Sequence, residues 1–143
     1  MKRSTGATLA SMGELVGEWE MRSPQFPDFL GRAKVAWIEE GAYLIVRDDV
    51  ENGDFPSGTW IVGGDDSTED CFSLYHDSRG VSRVYQISFV DGIWKIWRNA
   101  PGFNQRFIGK LDTGGKAIAA RWETSGDGSR WEKDFDLRYR RVR

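Results

Sequence analysis

The sequence predicts an all-β fold, a single antiparallel up-and-down barrel of about ten strands with a short N-terminal helix that plugs one end. Turn signals built on Gly, Asp and Asn recur along the chain, and the segments between them are rich in Val, Ile, Phe, Tyr and Trp. Only one short segment has helical character. A meander that closes on itself leaves no unpaired edge strand, which favours a barrel over an open sheet.

The positions of the turns define the predicted elements. The segment 1–14 is interpreted as a helical plug, with helical character at 7–13, and the barrel occupies 15–143 of a single domain, 1–143. The Pro-containing segment SPQFPDFLG is interpreted as a loop. The predicted strands are 15–21, 31–39, 42–50, 57–63, 70–77, 81–90, 92–99, 104–111, 116–124 and 130–142.

Composition excludes several classes of protein. The net charge of −2 provides no field to recruit nucleic acid or an anionic membrane, and the basic RYRRVR and acidic DDVENGD runs are interpreted as ordinary surface. No apolar run reaches the roughly 18 residues of a membrane helix, and MKRSTGATLASMGEL lacks the apolar core of a signal peptide. A single Cys favours a reducing, cytoplasmic location. The sequence leaves open whether the protein forms a homodimer through the outer faces of the barrel.

Turn lengths predict which side chains point into the barrel, because side chains alternate along a strand. A two-residue Asp91-Gly92 turn pairs Val90 with Ile93 and turns the more apolar face inward. A four-residue turn at 77–80 pairs His76 with Val81. The inward residues on these strands are Phe72, Leu74, His76, Arg83, Tyr85, Ile87, Phe89, Trp94, Ile96 and Arg98.

The C-terminal hairpin is expected to pair Trp122 with Trp131 across the SGDGS turn. This register adds Lys133 to the interior, and Gln105 is expected to join it. The apolar residues that it turns inward are Phe107, Ile118, Ala120, Phe135, Leu137 and Tyr139.

Strand direction predicts a ligand pocket with a polar mouth. A barrel of about ten strands leaves a cavity rather than filling completely. The deep inward positions are apolar, whereas the polar ones lie at the end opposite the helix, with Trp122 and Trp131 beside them as walls for an apolar ligand group. The predicted ligand-binding residues are His76, Arg83, Tyr85, Arg98, Gln105, Trp122, Trp131 and Lys133.

The inward cations have two interpretations. Arg83, Arg98 and Lys133 either bind an anionic or carbonyl oxygen of a ligand, or they lie at a wet rim and pair with an acid such as Asp77 or Glu123. Burial of an unpaired cation is costly, so each needs a partner or water.

Catalytic residues are not identified, but three candidates are named. His76 or Tyr85 would move a proton, and Arg98 would stabilise a developing oxyanion. A lone His is more often a hydrogen-bonded structural residue than a ligand or a base, and His76 is open to that interpretation as well. Cys71 lies five residues before it, which places the two on opposite faces of a strand and argues against a Cys–His nucleophile pair. No cofactor is expected, and one His with one Cys does not make a zinc site.

The Gly17-x-Trp19 motif after a short helix resembles the opening of the calycin superfamily, which includes lipocalins, fatty-acid-binding proteins and nitrobindin-like barrels. YHDSRGV, WRNAPGF and RWETSGDG are similar to segments of uncharacterised bacterial members. The resemblance to lipocalins implies an Arg of the last strand over that Trp, at Arg138 or Arg140. The nitrobindin resemblance implies haem ligation, here through His76, although that family carries its His where this chain reads DFDLRYRR.

Three functions follow from these expectations. The first is a binding protein for an amphiphilic or aromatic small molecule with an anionic or carbonyl oxygen. The second is a small barrel enzyme of the cyclase, isomerase or decarboxylase type that uses the same cavity. The third is an interaction module whose barrel is filled by its own aromatic residues.

Overall fold

A computed structural model describes residues 6–143, so the first five residues of the predicted plug lie outside the described part. Residues 6–143 form a closed barrel in which each strand pairs antiparallel with its neighbours in sequence and the last pairs with the first. The predicted fold class is confirmed. The elements are α1 (Ala7–Ser11), a 3₁₀ turn (Met12–Leu15), β1 (Gly17–Ser23), β2 (Phe26–Ile38), a 3₁₀ turn (Glu39–Gly41), β3 (Tyr43–Val50), β4 (Gly58–Gly64), β5 (Cys71–Asp77), β6 (Ser82–Val90), β7 (Ile93–Arg98), β8 (Asn104–Leu111), β9 (Ala117–Ser125) and β10 (Glu132–Arg141).

The N-terminal segment packs against one end of the barrel. Leu9, Met12 and Leu15 are buried in the main hydrophobic core, and the Ser11 hydroxyl donates a hydrogen bond of 3.0 Å to the carbonyl of Phe89 near the end of β6. The turns at 39–41 and 91–92 lie at this closed end. Among residues 6–143, no helix combines the length and apolar character needed to cross a membrane.

Trp19 links this segment to the last strand. Its Nε1 donates to the Leu15 carbonyl at 2.9 Å, and the guanidinium carbon of Arg141 lies 4.2 Å from the centre of a Trp19 ring. The cation over the tryptophan is therefore Arg141, not Arg138 or Arg140, because Arg141 is directly opposite Trp19 in the β1–β10 register. With this contact, the architecture is consistent with a calycin-like barrel.

The second strand is longer than predicted. Most predicted strand ends lie within two residues of the observed ones, but β2 begins at Phe26 rather than at Gly31. The interpretation of SPQFPDFLG as a loop is wrong for most of its length, because the chain turns tightly and Ser23 already pairs with Phe26. Phe29 on the extended part of β2 consequently joins the core.

The predicted register holds at the β6–β7 hairpin and fails at the β5–β6 hairpin. Phe89 pairs with Trp94 as expected, and both are buried. The backbone N–H of Asp77, however, donates to the Val81 carbonyl, so His76 pairs with Ser82 instead of Val81. This one-residue shift exchanges the two faces of β5. Phe72, Leu74 and His76 face outward, against expectation, and Cys71, Ser73, Tyr75 and Asp77 are the buried or half-buried set.

The connection between β9 and β10 overturns the rest of the predicted register. It is longer than the predicted turn, so Thr124 pairs with Glu132 and Lys133 with Glu123, and a one-residue shift between Lys133 and Phe135 then pairs Trp122 with Phe135 instead of Trp131. Trp131 and Lys133 are therefore on the outside of the barrel, and their predicted inward orientation is wrong. Beyond the irregularity the expected face is recovered, and the confirmed inward residues are Ile118, Ala120, Leu137 and Tyr139.

Candidate functional site

A cavity of about 380 Å³ lies inside the barrel and extends to the end opposite the N-terminal segment. Its size is within the range of pockets for compact organic ligands. Phe26, Phe55 and Phe103 line it near the interstrand turns and loops, which identifies that end as the mouth. The deeper walls are formed mainly by Met21, Phe29, Val46, Trp60, Tyr75, Tyr85, Trp94, Ile96, Phe107, Trp122, Leu137 and Tyr139.

Aromatic rings form a continuous wall of this cavity. The rings of Trp60 and Trp122 are stacked at 22° with centres 6.3 Å apart, and Tyr75 lies 4.4 Å from Trp60. Phe107 continues the wall, 5.2 Å from Trp122 and 4.8 Å from Trp94. The faces of such rings carry negative electrostatic potential, so this wall can stack a planar group or attract a cation.

Asp48 places a carboxyl group in this apolar wall. It follows Val46 on the inward face of β3, and Trp60 Nε1 donates to its Oδ2 at 3.2 Å. Its Oδ1 is closed to solvent and has no hydrogen-bond partner among residues 6–143. Burial raises the pKa of Asp48 from 3.8 to about 6, with the Trp60 hydrogen bond acting in the opposite direction.

Trp94 contributes a second unsatisfied group. Its Nε1 is buried and, within the described residues, donates to no acceptor. Tyr139 lies beside it, with ring centres 6.0 Å apart. Burial, and then the negative charge of Asp48, raise the pKa of Tyr139 well above its ordinary value, so its phenol stays neutral. An unsatisfied buried donor costs about 1–3 kcal/mol, and both side chains with an unpartnered atom, Asp48 and Trp94, line the cavity.

A polar network lies nearer the mouth. The Tyr85 hydroxyl donates to Gln105 Oε1 at 2.8 Å, and Arg83 Nη1 donates to the same oxygen at 3.3 Å. The Arg83 guanidinium carbon is 5.2 Å from the centre of the Phe103 ring. Arg83, Tyr85, Gln105 and Trp122 all line the cavity, so the structure brings together half of the predicted ligand-binding set.

Asp77 differs from Asp48 in that its carboxylate is paired with a cation and hydrogen-bonded. Arg79 Nη2 donates to its Oδ2 at 2.6 Å, and the Tyr75 hydroxyl donates to the same oxygen at 2.7 Å. Burial alone would raise the pKa of Asp77, but the hydrogen bonds from Arg79 and Tyr75 and the Arg79 charge hold it well below its ordinary range. Asp77 therefore orders the β5–β6 turn, and its cation is Arg79 rather than any of the three predicted.

The other predicted residues do not line the cavity. His76 is exposed, with its Nδ1 3.1 Å from Ser82 Oγ, so neither a base nor a haem ligand reaches the cavity from it. Arg98 lines an outer groove that it shares with His76. Trp131 lies under Arg106, whose guanidinium carbon is 4.0 Å from the centre of the Trp131 ring. Lys133 pairs with Asp136 at 3.3 Å on the outer face.

Asp48 is the residue that sequence reasoning missed. The run DDVENGD is interpreted as surface because of its charge, and Asp49, Glu51 and Asp54 are indeed exposed, but its first residue, Asp48, is half-buried. A signal was present in the alternation of Leu44, Val46, Asp48 and Val50, which places Asp48 on the apolar face of its strand.

No family or metal assignment accompanies this site. Among residues 6–143, no three His, Cys, Asp or Glu side chains converge in a way that would hold a metal ion. The sequence matches no model of a known protein family and no curated protein.

Proposed function

We propose that the protein binds a small amphiphilic or aromatic molecule in the barrel cavity and holds its polar groups on Asp48 and Trp94. The observation that carries this proposal is the pair of buried, unpartnered atoms, Asp48 Oδ1 and Trp94 Nε1, in a cavity otherwise walled largely by aromatic and aliphatic side chains. Buried polar groups are normally hydrogen-bonded. A ligand with a donor and an acceptor would complete both.

The mouth supports binding of a carbonyl or anionic oxygen. Arg83 has no acidic partner within 4.0 Å among the described residues, and its bonds to Gln105 and Tyr85 hold it near the mouth. A guanidinium can donate two parallel hydrogen bonds to such an oxygen. Arg98 and Lys133, predicted to share this role, are not part of the proposal because they lie outside the cavity.

The resemblance to calycins enters the proposal as a further element. The contact between Trp19 and Arg141 is the one that lipocalins are expected to show, and it supports membership of a calycin-like group of bacterial barrels. A cytoplasmic small-molecule carrier is the form of the proposal that agrees with the single cysteine, which is buried and free.

Native mass spectrometry of the purified protein, with an absorbance spectrum of the same sample, tests the proposal first. A copurifying molecule should appear as extra mass in the folded protein and disappear on denaturation. The change Val46→Trp, which fills the cavity beside Trp60, should abolish this extra mass. The matched control is Arg47→Trp on the exposed face of β3, which should retain it. Equal retention by both variants would show that the molecule binds elsewhere.

Catalysis in the same cavity is the second candidate. A carboxyl group with a pKa of about 6 is suited to proton transfer near neutral pH, and the Trp94 indole N–H is a free donor for a developing oxyanion. A turnover enzyme would convert the molecule found by mass spectrometry, and Asp48→Asn would stop the conversion. A molecule recovered unchanged after prolonged incubation would support the carrier.

A further inference from the structure

We infer that the molecule bound in the cavity carries a protonated amine, and that Asp48 is the carboxylate that receives it. This inference rests on the proposed function and specifies its ligand class. It follows from three features of the cavity: an unneutralised carboxylate, a surrounding wall of aromatic faces, and the charges that line the rest of the space.

The first feature is the missing counter-charge of Asp48. No Lys, Arg or His of the described chain lies within 4.0 Å of its carboxylate, and its sole hydrogen-bond donor among residues 6–143 is the neutral Trp60 indole. The cations that line the cavity do not neutralise Asp48, since Arg79 pairs with Asp77 and Arg83 lies nearer the mouth, hydrogen-bonded to Gln105. An ammonium group on the ligand would donate a hydrogen bond to Oδ1 and neutralise the charge of Asp48. A neutral donor would form the hydrogen bond but leave the charge.

The second feature is the aromatic wall around the carboxylate. Trp60 bonds to Asp48 and contacts Tyr75, Tyr85 and Trp122, with ring centres 4.4, 5.0 and 6.3 Å away. Aromatic faces attract cations most strongly where water is excluded. A carboxylate at the edge of such a wall is the arrangement that binds an organic ammonium, and the rings would also pack against the apolar part of the ligand.

The third feature is the balance of charge. Asp134 also lines the cavity, and burial raises its pKa. Of the two arginines that line the cavity, Arg79 is neutralised by Asp77, so the two carboxyl groups face one arginine without an acidic partner and disfavour a ligand that is only an anion. Among residues 6–143 the Trp94 N–H has no acceptor and the Arg83 guanidinium has no acidic partner, so the ligand class is a compact aromatic amine that also carries an oxygen acceptor.

The pH dependence of binding follows from the groups around Asp48. Trp60 on β4, Tyr75 on β5 and Tyr139 on β10 face it as neutral groups, and Arg79, Arg83 and Asp134 line the same cavity. A bound ammonium stabilises the ionised carboxylate and lowers its pKa. Binding of an amine should therefore weaken as the pH falls through about 6, where free Asp48 takes up a proton.

Three indoles that differ in one group test the inference by isothermal titration calorimetry. Tryptamine carries an ammonium, tryptophol a hydroxyl and indole-3-acetate a carboxylate at the end of the side chain. Near pH 7.5 tryptamine should bind at least about tenfold more tightly than tryptophol, and indole-3-acetate should bind most weakly. Near pH 5 the advantage of tryptamine should shrink, because Asp48 is then mostly protonated.

Asp48→Asn and its neighbour Asp49→Asn separate the buried carboxylate from general surface charge. Asp48→Asn should weaken tryptamine binding about tenfold or more and change tryptophol binding by less than about threefold. Asp49 is exposed on the opposite face of β3, so Asp49→Asn should leave both affinities unchanged. Near-ultraviolet circular dichroism confirms that each variant is folded.

The outcomes separate this inference from the proposed function. If tryptophol binds but tryptamine binds no better, or if Asp48→Asn leaves the tryptamine affinity unchanged, the assignment of an amine ligand is wrong and the proposed binding cavity is retained. The inference of an amine ligand is also wrong if indole-3-acetate binds most tightly of the three probes. If none of these probes binds and the purified protein carries no extra mass, the proposed function and the inference both fail.

Discussion

A tryptophan at the closed end of the barrel and one in the cavity differ in whether the indole N–H has a hydrogen-bond acceptor. At the closed end, Trp19 donates its indole N–H to the Leu15 carbonyl and lies under Arg141. In the cavity, Trp94 is also buried in the core, yet its indole N–H has no partner among residues 6–143. A buried donor without an acceptor lowers stability. The difference therefore separates a region in which the buried indole donor is satisfied from one in which it is left for the ligand of the proposed function.

The arginines of the two regions differ in the same way. Arg141 donates to the carbonyls of Glu14, Val16 and Gly115 at 2.6, 2.6 and 2.8 Å and so ties the last strand to the N-terminal segment and the β8–β9 turn. Among residues 6–143, Arg83 makes only the long hydrogen bonds of 3.3 and 3.5 Å to the side chains of Gln105 and Tyr85. We expect Arg141 to contribute to the free energy of unfolding and Arg83 to contribute to ligand affinity.

The largest effect should come from removing the arginine at the closed end. Arg141→Ala loses three charge-assisted hydrogen bonds and the contact with Trp19, and should lower the free energy of unfolding by about 3 kcal/mol. Arg83→Ala should lower it by less than about 1 kcal/mol. Urea unfolding followed by tryptophan fluorescence measures both. Equal losses in the two variants would remove the distinction between the regions.

The next effect is a gain in stability from removing the cavity carboxylate. The pKa of Asp48 is about 6 in the folded protein, against an ordinary 3.8. Ionisation therefore costs the folded state stability, and this cost appears as the pH rises from about 4 to about 6. Asp48→Asn should raise the free energy of unfolding by about 2 kcal/mol near pH 7.5.

The pH dependence of this gain provides its own control. Below about pH 4 the carboxyl group is protonated in both the folded and the unfolded chain, so the advantage of Asp48→Asn should disappear there. Asp49→Asn, on the exposed face, should show no gain at either pH. A gain that persists in acid, or a loss of stability near pH 7.5, would contradict the assignment of an unpartnered buried carboxylate.

The smallest effect compares the two tryptophans directly. Trp19→Phe keeps an aromatic ring but loses the hydrogen bond to Leu15, and should lower the free energy of unfolding by about 1–2 kcal/mol. Trp94→Phe removes an N–H that has no partner among the described residues. It should therefore lower the free energy of unfolding by about 1 kcal/mol less than Trp19→Phe does. The two substitutions delete the same atoms, and their difference in urea unfolding reports the hydrogen bond to Leu15 together with the weaker contact of Arg141 with a phenyl ring. Identical losses would mean that Trp94 Nε1 is satisfied in solution.

Much of the site could be predicted wherever a short turn defined the register. The two-residue Asp91-Gly92 turn placed Tyr85, Phe89 and Trp94 inward, as observed. The predicted placement of His76 was wrong because Asp77, not His76, pairs with Val81. A one-residue error in pairing exchanges the faces of a strand, so the sole histidine moved from the predicted cavity to the surface.

The pairing of β9 with β10 could not be predicted from the turn residues. A register counted from the SGDGS turn places Trp131 and Lys133 inward, but the connection is longer than that turn, so Lys133 pairs with Glu123, and one extra residue in β10 shifts the pairing again before Phe135. Asp48 shows the opposite case. Its position in an apolar alternation was readable, but the adjacent Asp49 and the acidic run concealed it within an expected surface.

The sequence by itself determined the barrel, because turn residues at regular spacing and alternating apolar residues are local properties of the chain. It also determined that aromatic side chains would wall the interior. Only the tertiary structure decided which polar groups share that interior, since this depends on pairing between strands that are distant in sequence. Asp48 on β3 and Trp94 on β7 come from distant parts of the chain, and closure of the barrel places them in one cavity while leaving an atom of each without a partner among residues 6–143.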